Sequence, residues 1–214
     1  MSPAATSLPF HTRRNGILFL ISAPSGAGKS TLLNGISTRA NCVYSVSCTT
    51  RAPRPGERNG IDYHFLSREK FEDEIAAGHF LEWAQVHGNY YGTLRSSVKA
   101  HITCGTDVLI DVDVQGARTI RSCGDAVITQ SLVDVFLTPP SMEVLTRRLN
   151  GRGTESPEQL ALRLRNAERE MECWRDYAYL LVSGDAEEDQ RLFLAIMECE
   201  RMRSTRLLPA PCGL

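Results

Sequence analysis

A three-layer α/β fold, with a parallel central sheet covered by helices on both faces, is predicted by three observations in this sequence of 214 residues. Short apolar runs, such as Ile17 to Ser22 (ILFLIS) and Asp107 to Val112 (DVLIDV), read as strands buried on both sides. Helical patterns stand between these runs. A glycine-rich loop joins the first run to the first helix. The length suits one α/β domain that carries small insertions, or at most two domains.

Composition narrows the partners. The 24 Lys+Arg are offset by 25 Asp+Glu, for a net charge of -1, so no general nucleic-acid or polybasic membrane binder is expected. The apolar run Ile17 to Ile21 is far too short for a membrane span, and no secretory apolar region precedes it. The seven cysteines show no C-x-x-C spacing and read as free thiols of a reducing cytoplasm.

Along the chain, residues 1–14 read as a polar mobile tail. After the first strand comes a helix from about Lys29 to Ser37, then a short strand over Val43 to Val46. The stretch CTTRAPRPGERNG (Cys48 to Gly60) is a loop, because its prolines and glycines break both periods. Asp62 to Leu66 reads as a strand. Ser67 caps a helix that carries Phe71 and Ile75 and stops at Gly78. Phe80 to Thr93, aromatic and β-branched with a Gly-Asn turn, reads as a small antiparallel unit.

Leu94 to Thr103 reads as a helix, and another starts near Gln115 after the DVLIDV strand. Val133 to Leu137 is a further strand, and Ser141 caps a helix that Gly151 and Gly153 break. Ser156, Pro157 and Gln159 form a cap with proline at the first helical position. Tyr179 to Val182 is the last strand, and the closing helix carries Leu192, Phe193, Ile196 and Met197 on one face. The resulting division is a core of 15–46, 97–140 and 169–214, with insertions at 47–96 and 141–168.

The sharpest motif is Ala23-Pro24-Ser25-Gly26-Ala27-Gly28-Lys29-Ser30, with Thr31 next. It follows a strand and opens a helix, the setting of a P-loop, so the fold is read as that of a P-loop NTPase. The glycines let successive N–H groups turn inward around phosphates at a helix N-terminus. Lys29 is placed to reach the β/γ-phosphates of ATP, and Ser30 to offer a hydroxyl to Mg²⁺. Ala23 stands where the strict pattern has its first glycine. A partner carboxylate is expected at a neighbouring strand end. Asp111 and Asp113, two residues apart, fit: one to bind Mg²⁺ through water (the metal set is Ser30 and Asp111), the other to orient arginines.

A P-loop identifies a nucleotide, not a reaction. The segment Ser47-Cys48-Thr49-Thr50-Arg51-Ala52-Pro53-Arg54-Pro55-Gly56-Glu57, following that loop, closely resembles guanylate kinases. The resemblance covers the chain from about Ile17 to Arg203. It implies phosphoryl transfer from ATP to GMP, with dGMP as a second acceptor and Mg²⁺ as cofactor. It makes 47–96 a GMP-binding subdomain and 141–168 a mobile lid.

The chemistry of guanine then explains the residue types. Its N1–H and N2 amino donors suit one carboxylate, a role given to Glu57, while the Ser47 hydroxyl donates to O6. Arg51 and Arg54 grip the monophosphate with planar forks. By resemblance, Tyr63 and Tyr91 donate to the same phosphate, Glu82 faces the sugar or base, and Thr93 stands near guanine. Arg148, Arg152 and Arg163 match the lid arginines that touch nucleotide and phosphate; with Lys29 and Arg51 they form the catalytic set. Guanylate kinases commonly carry Asn-Asp after the last strand, where this chain has Ser183-Gly184-Asp185. That departure bears on adenine contacts. A ribose-bisphosphate kinase, a phosphopeptide-binding scaffold domain and a GTPase switch are the rival readings. Oligomeric state, a homo-oligomer included, is left open.

Overall fold

The computed structural model describes residues 13–37, 39–86, 88–150 and 157–208. In chain order the elements are β1 (Arg13–Arg14), β2 (Leu18–Ser22), α1 (Lys29–Ser37), β3 (Val43–Tyr44), β4 (Cys48–Thr49), β5 (His64–Phe65), α2 (Arg68–Ala76), β6 (Phe80–Val86), β7 (Asn89–Leu94) and α3 (Arg95–Thr103). There follow β8 (Val108–Asp111), α4 (Val114–Arg121), α5 (Ala126–Ser131), β9 (Leu132–Thr138), α6 (Met142–Asn150), α7 (Pro157–Met171), β10 (Tyr179–Val182), α8 (Ala186–Arg201) and β11 (Leu207–Leu208).

Five of these strands form the central sheet in the order β10-β9-β2-β8-β3, every neighbouring pair parallel. The alternation of β2 decides what covers each face. Ile17, Phe19 and Ile21 join Leu32 and Ile36 of α1 with Phe193 and Met197 of α8. Leu18 and Leu20 point the other way, into Val98 and Ile102 of α3, Ala117 and Ile120 of α4 and Ile128 of α5. A strand buried on both faces must be apolar at every position, which is why ILFLIS shows no period-two pattern.

A second sheet, β5-β4-β7-β6, occupies residues 48–94. Its small core is Cys48, Phe71 and Phe80, with the Phe71 ring stacked on Phe80 at 4.3 Å and on Tyr90 at 5.3 Å. Ser67 caps α2 by accepting from the Lys70 N–H, and Gly78 takes φ 69° at its far end. A further cluster, Leu145, Leu149 and Ala167, joins α6 to α7.

Several expectations need correction. The tail read through residue 14 ends earlier: β1 pairs antiparallel with β11, and the Arg14 guanidinium donates to both oxygens of buried Asp107, at 2.6 and 3.1 Å. The Asp62 to Leu66 strand shrinks to His64–Phe65, because Asp62 instead accepts from the Arg58 N–H at 2.7 Å and closes a turn. The six-residue α5 went unread; Asp125 caps it by accepting from Val127 and Ile128 N–H. Leu192 is 37% exposed, and the buried residues of α8 are Asp189, Phe193, Met197 and Glu200. Pro157 does open α7, whereas Gly151, Gly153 and Ser156 lie outside the described residues. No described helix is long and apolar enough to cross a membrane.

Candidate active site

The loop between β2 and α1 lies at the carboxyl ends of the sheet, where the strand order turns back on either side of β2. Ligands of open α/β sheets gather at such a switch point. Gly26 and Gly28 take φ of 89° and 109°, a region closed to most side chains. A Cβ on Gly26 would also come within 2.8 Å of Leu149. The register of β2 with β8 sets Ile21 beside Asp111, so the carboxylate stands next to the loop.

Lys29 opens α1, and its ammonium meets Asp111 Oδ2 at 3.0 Å. The other Asp111 oxygen accepts from the Tyr44 hydroxyl. Burial works to raise the Asp111 carboxyl, but the Lys29 charge and the Tyr44 hydrogen bond outweigh it and hold it below its ordinary range. Tyr44 itself is pushed far up, by burial first and then by the Asp111 charge, so the phenol stays a donor.

Three cavities meet around the loop. One of about 340 Å³ lies over Ser25, Gly26, Lys29 and Ser30, with Asp113 and Glu170 on its far wall. A second, of about 250 Å³, is lined by Lys29, Ser47, Tyr63, Glu82, Tyr91 and Asp111. The third, about 290 Å³, lies beyond Gly28, between Thr31, Arg148, Ser183 and Asp189. Lys29 is common to the first two, so one cation borders both.

In the second cavity Glu82 is 8% exposed, and Thr93 donates to its Oε1 at 2.7 Å. The two residues face each other across β6 and β7, just past a register shift between Phe80 and Glu82. Such bulges re-aim side chains, here toward the pocket. Burial, augmented by the charges of Asp113 and Asp111 and opposed by the Thr93 hydrogen bond, pushes the Glu82 carboxyl above its ordinary value. Tyr63 and Tyr91 meet edge to face at 6.1 Å.

Glu57, the expected reader of guanine, is held within its own loop. Its Oε1 accepts from Arg51 Nη2 at 2.8 Å and its Oε2 from the Arg54 N–H at 2.7 Å. Both oxygens are therefore engaged within its own loop, and the Arg51 hydrogen bond, then that of the Arg54 N–H, lowers its carboxyl. Arg51 also donates to Ala52 O at 2.7 Å and lies 5.4 Å over the Tyr63 ring. Arg54 is exposed.

The remaining site residues divide as follows. Asp113 caps α4 through the Gly116 N–H at 2.7 Å, so it orients a helix where an arginine contact was expected. The pair expected to hold Mg²⁺ is split: both Asp111 oxygens are engaged, and the carboxylates that share a cavity with Ser30 are Asp113 and Glu170. Arg148 Nη1 donates to Ala27 O at 2.9 Å and to Ser183 Oγ at 3.2 Å. Arg163 lies half-buried on α7, and Arg152 falls outside the described residues. Ala23, Pro24, Ala27, Gly28 and Thr31 complete the loop and the first turn of α1. Sequence reasoning missed Tyr44, Glu170 and Asp189. A lone Tyr, Glu or Asp within an element carries no local signal of what it faces.

A phosphate-gripping loop at the switch point of a parallel sheet, with a second polar pocket opening beside its lysine, defines a P-loop nucleotide-binding protein with room for two ligands. A protein-family model for guanylate kinase matches residues 15–198. The guanylate kinase of Bartonella quintana (strain Toulouse) is 43% identical over 196 residues, which span 91% of this chain and 86% of that protein. That of Idiomarina loihiensis is 48% identical over 173 residues, 79% of this chain and 80% of its own. The crystal structure of guanylate kinase from Anaplasma phagocytophilum superposes with a TM-score of 0.71 at 32% identity, covering 92% of each chain. The chain belongs to the guanylate kinase family.

Proposed function

We infer that this chain transfers the γ-phosphoryl group of ATP to GMP, giving ADP and GDP. The observation that carries the reading is Lys29, which borders both the phosphate loop and the second pocket. A phosphate oxygen of GMP attacks the γ-phosphorus in line, and the bond to the β–γ bridging oxygen breaks. The acceptor oxygen is already ionised, so the step needs positioning and charge neutralisation more than a base. Lys29 supplies one such charge, and the loop N–H groups hold the donor phosphates.

At the acceptor, Glu82 is the better reader of guanine: buried, fixed by Thr93 and facing the pocket with Ser47. It accepts the N1–H and N2 amino donors together. Adenine turns the opposite pattern toward it, which leaves a buried carboxylate unpaired. Glu57 acts one step back, as the clamp that holds Arg51, with Arg54, for the monophosphate. Tyr63 and Tyr91 present hydroxyls at the same end. The groups named act on base and phosphate, and none is assigned to the sugar 2′ position, so dGMP is taken as a second acceptor.

Oxygen donors suit Mg²⁺, and Ser30 with Asp113 and Glu170 supplies them around the phosphate cavity. Among the described residues no group of three His, Cys, Asp or Glu is close enough to hold a metal alone, so these side chains would act with the nucleotide's own phosphates. The ion neutralises charge on those phosphates when bound. Segments 47–96 and 141–168 are taken as acceptor subdomain and lid, closing to exclude water. The reaction belongs to purine nucleotide metabolism and GMP recycling, and the described cysteines, free of disulfides, suit the cytoplasm.

The test is ADP release from Mg-ATP with GMP, AMP, CMP, UMP and ribose 1,5-bisphosphate offered separately. Turnover with GMP alone is expected. Turnover with another acceptor would keep phosphoryl transfer and discard the guanine reading.

A further inference from the structure

The third cavity lies on the far side of the phosphate loop from the acceptor pocket. If ATP is the donor, as inferred above, its γ-phosphate points to Lys29 and its base leaves the loop at the opposite end, into this cavity. Its walls are built largely from small residues, Gly26, Gly28, Thr31, Ser183, Gly184 and Ala186. Its polar side chains are those of Thr31, Arg148, Ser183 and Asp189, and Asp189 is the one carboxylate among them. Arg148 Nη1 is shared between Ala27 O and Ser183 Oγ.

Asp189 stands apart. It lies in the first turns of α8 and is 6% exposed, a burial that is costly for a carboxylate left without partners. Its Oδ1 accepts from the Gly184 N–H at 3.1 Å. Its other oxygen takes no hydrogen bond among the described residues, and it is not one of the sealed, unpartnered atoms there, which are Ser45 Oγ, Arg121 Nη2 and Tyr177 Oη. Asp189 lines the cavity, so its carboxylate stands where a ligand there can meet it.

We propose that Asp189 is the residue that sets donor-base specificity, by accepting a hydrogen bond from the 6-amino group of adenine. The chemistry is one-sided. Adenine offers two N–H donors at C6, whereas hypoxanthine offers a carbonyl oxygen that faces the carboxylate lone pairs. The loop grips phosphates that every nucleoside triphosphate shares, so the base must be told apart by something else. The cavity is open to water, which relieves part of a mismatch. The preference for ATP over ITP is therefore roughly 10–100-fold, short of the 10⁴ reached when polar groups are fully enclosed.

The proposal is tested with wild type, Asp189→Asn and Asp189→Ala. Equilibrium binding of ADP and IDP is measured without acceptor, and kcat/KM with ATP and ITP at saturating GMP. Asn retains an oxygen for the Gly184 N–H and turns an amino donor toward O6. It is expected to weaken ADP, tighten IDP and lower the adenine preference at least tenfold. Ala is expected to weaken ADP alone. Guanosine binding, at the other pocket, reports that each variant is folded. If both variants leave the ADP to IDP ratio unchanged, or weaken the two equally, Asp189 only braces the Gly184 corner and the proposal falls. A wild type that prefers ADP through Asp189 yet transfers nothing to GMP would support the proposal and overturn the transferase reading.

Discussion

The pocket proposed for the acceptor and the cavity proposed for the donor base flank one phosphate loop and are built in opposite ways. In the pocket beside Lys29 the charged groups are paired in advance, Glu82 with Thr93 and Asp111 with Lys29 and Tyr44, and in the neighbouring loop Arg51 is paired with Glu57. The donor side offers small residues, a backbone cradle and one buried carboxylate, Asp189. Polar groups that are buried and fixed penalise a ligand that leaves them unpaired, whereas loop N–H groups bind phosphate whatever base is attached. On the proposed function, the difference means that the acceptor base is read closely and the donor more loosely, through its phosphates and Asp189. The two pockets can be separated by substitution.

The largest effect is expected where they meet. Lys29→Ala removes the cation common to the phosphate cavity and the acceptor pocket. It should lower kcat by roughly 10³-fold, the loss typical of a directed charge on a reacting group. Guanosine binding should be nearly unchanged, because the groups that read the base remain. Steady-state kinetics and calorimetric titration separate the two results. A variant that still turns over within tenfold of wild type would remove Lys29 from the chemistry.

Next in size is Glu82→Gln. The amide keeps an oxygen for Thr93 but sets an N–H₂ against the guanine donors. The ratio of kcat/KM for GMP over AMP should fall by roughly 10²-fold, with ATP parameters little changed. The raised carboxyl of Glu82 adds a pH test with a definite sign. Ionised Glu82 is the form that accepts, so guanosine affinity should fall as pH drops through its elevated pKa. Guanosine is the right probe, because the GMP phosphate has its own titration near ~6. Stability runs the other way. An acid whose folded pKa lies above its unfolded value favours the folded state fully below the unfolded value, and that contribution is lost as pH rises through the folded one. Wild type minus Glu82→Gln should show both slopes; parallel slopes would mean that another group titrates.

How much of this was legible in the sequence depended on the range of the signal. The loop, the parallel sheet and the Ser67 cap were readable because each is written in neighbouring residues, and the apolar runs of β2 and β8 reflect burial on two faces. The roles proposed for Glu57 and Glu82 were not readable from spacing. Glu57 stands amid arginines and so looked like the ligand-facing acid, yet those same arginines consume its two oxygens. Glu82 sits in an ordinary strand, and only the register shift beside Leu81 and the arrival of Thr93 from β7 aim it at the pocket. Asp189 needs β10, α8 and the loop brought together before it faces anything. The β1–β11 pairing joins residues from the two ends of the chain, a contact no local pattern encodes.

The smallest effect discriminates most sharply between the two carboxylates weighed as readers of guanine. Glu57→Gln keeps an acceptor for the Arg54 N–H but removes the charge that holds Arg51, and a charge-assisted bond of this kind is worth more than a neutral one. Arg51 should then sample other orientations, and KM for GMP should rise roughly tenfold, with kcat moved less. The base-reading groups are untouched, so the GMP to AMP ratio should stay at the wild-type value, and guanosine should bind as before. This pattern is the reverse of Glu82→Gln, which loses the ratio. Were Glu57→Gln to lose guanine selectivity and Glu82→Gln to keep it, the reading of the base would belong to Glu57 after all, and the loop hydrogen bonds would describe only a pocket waiting for its ligand.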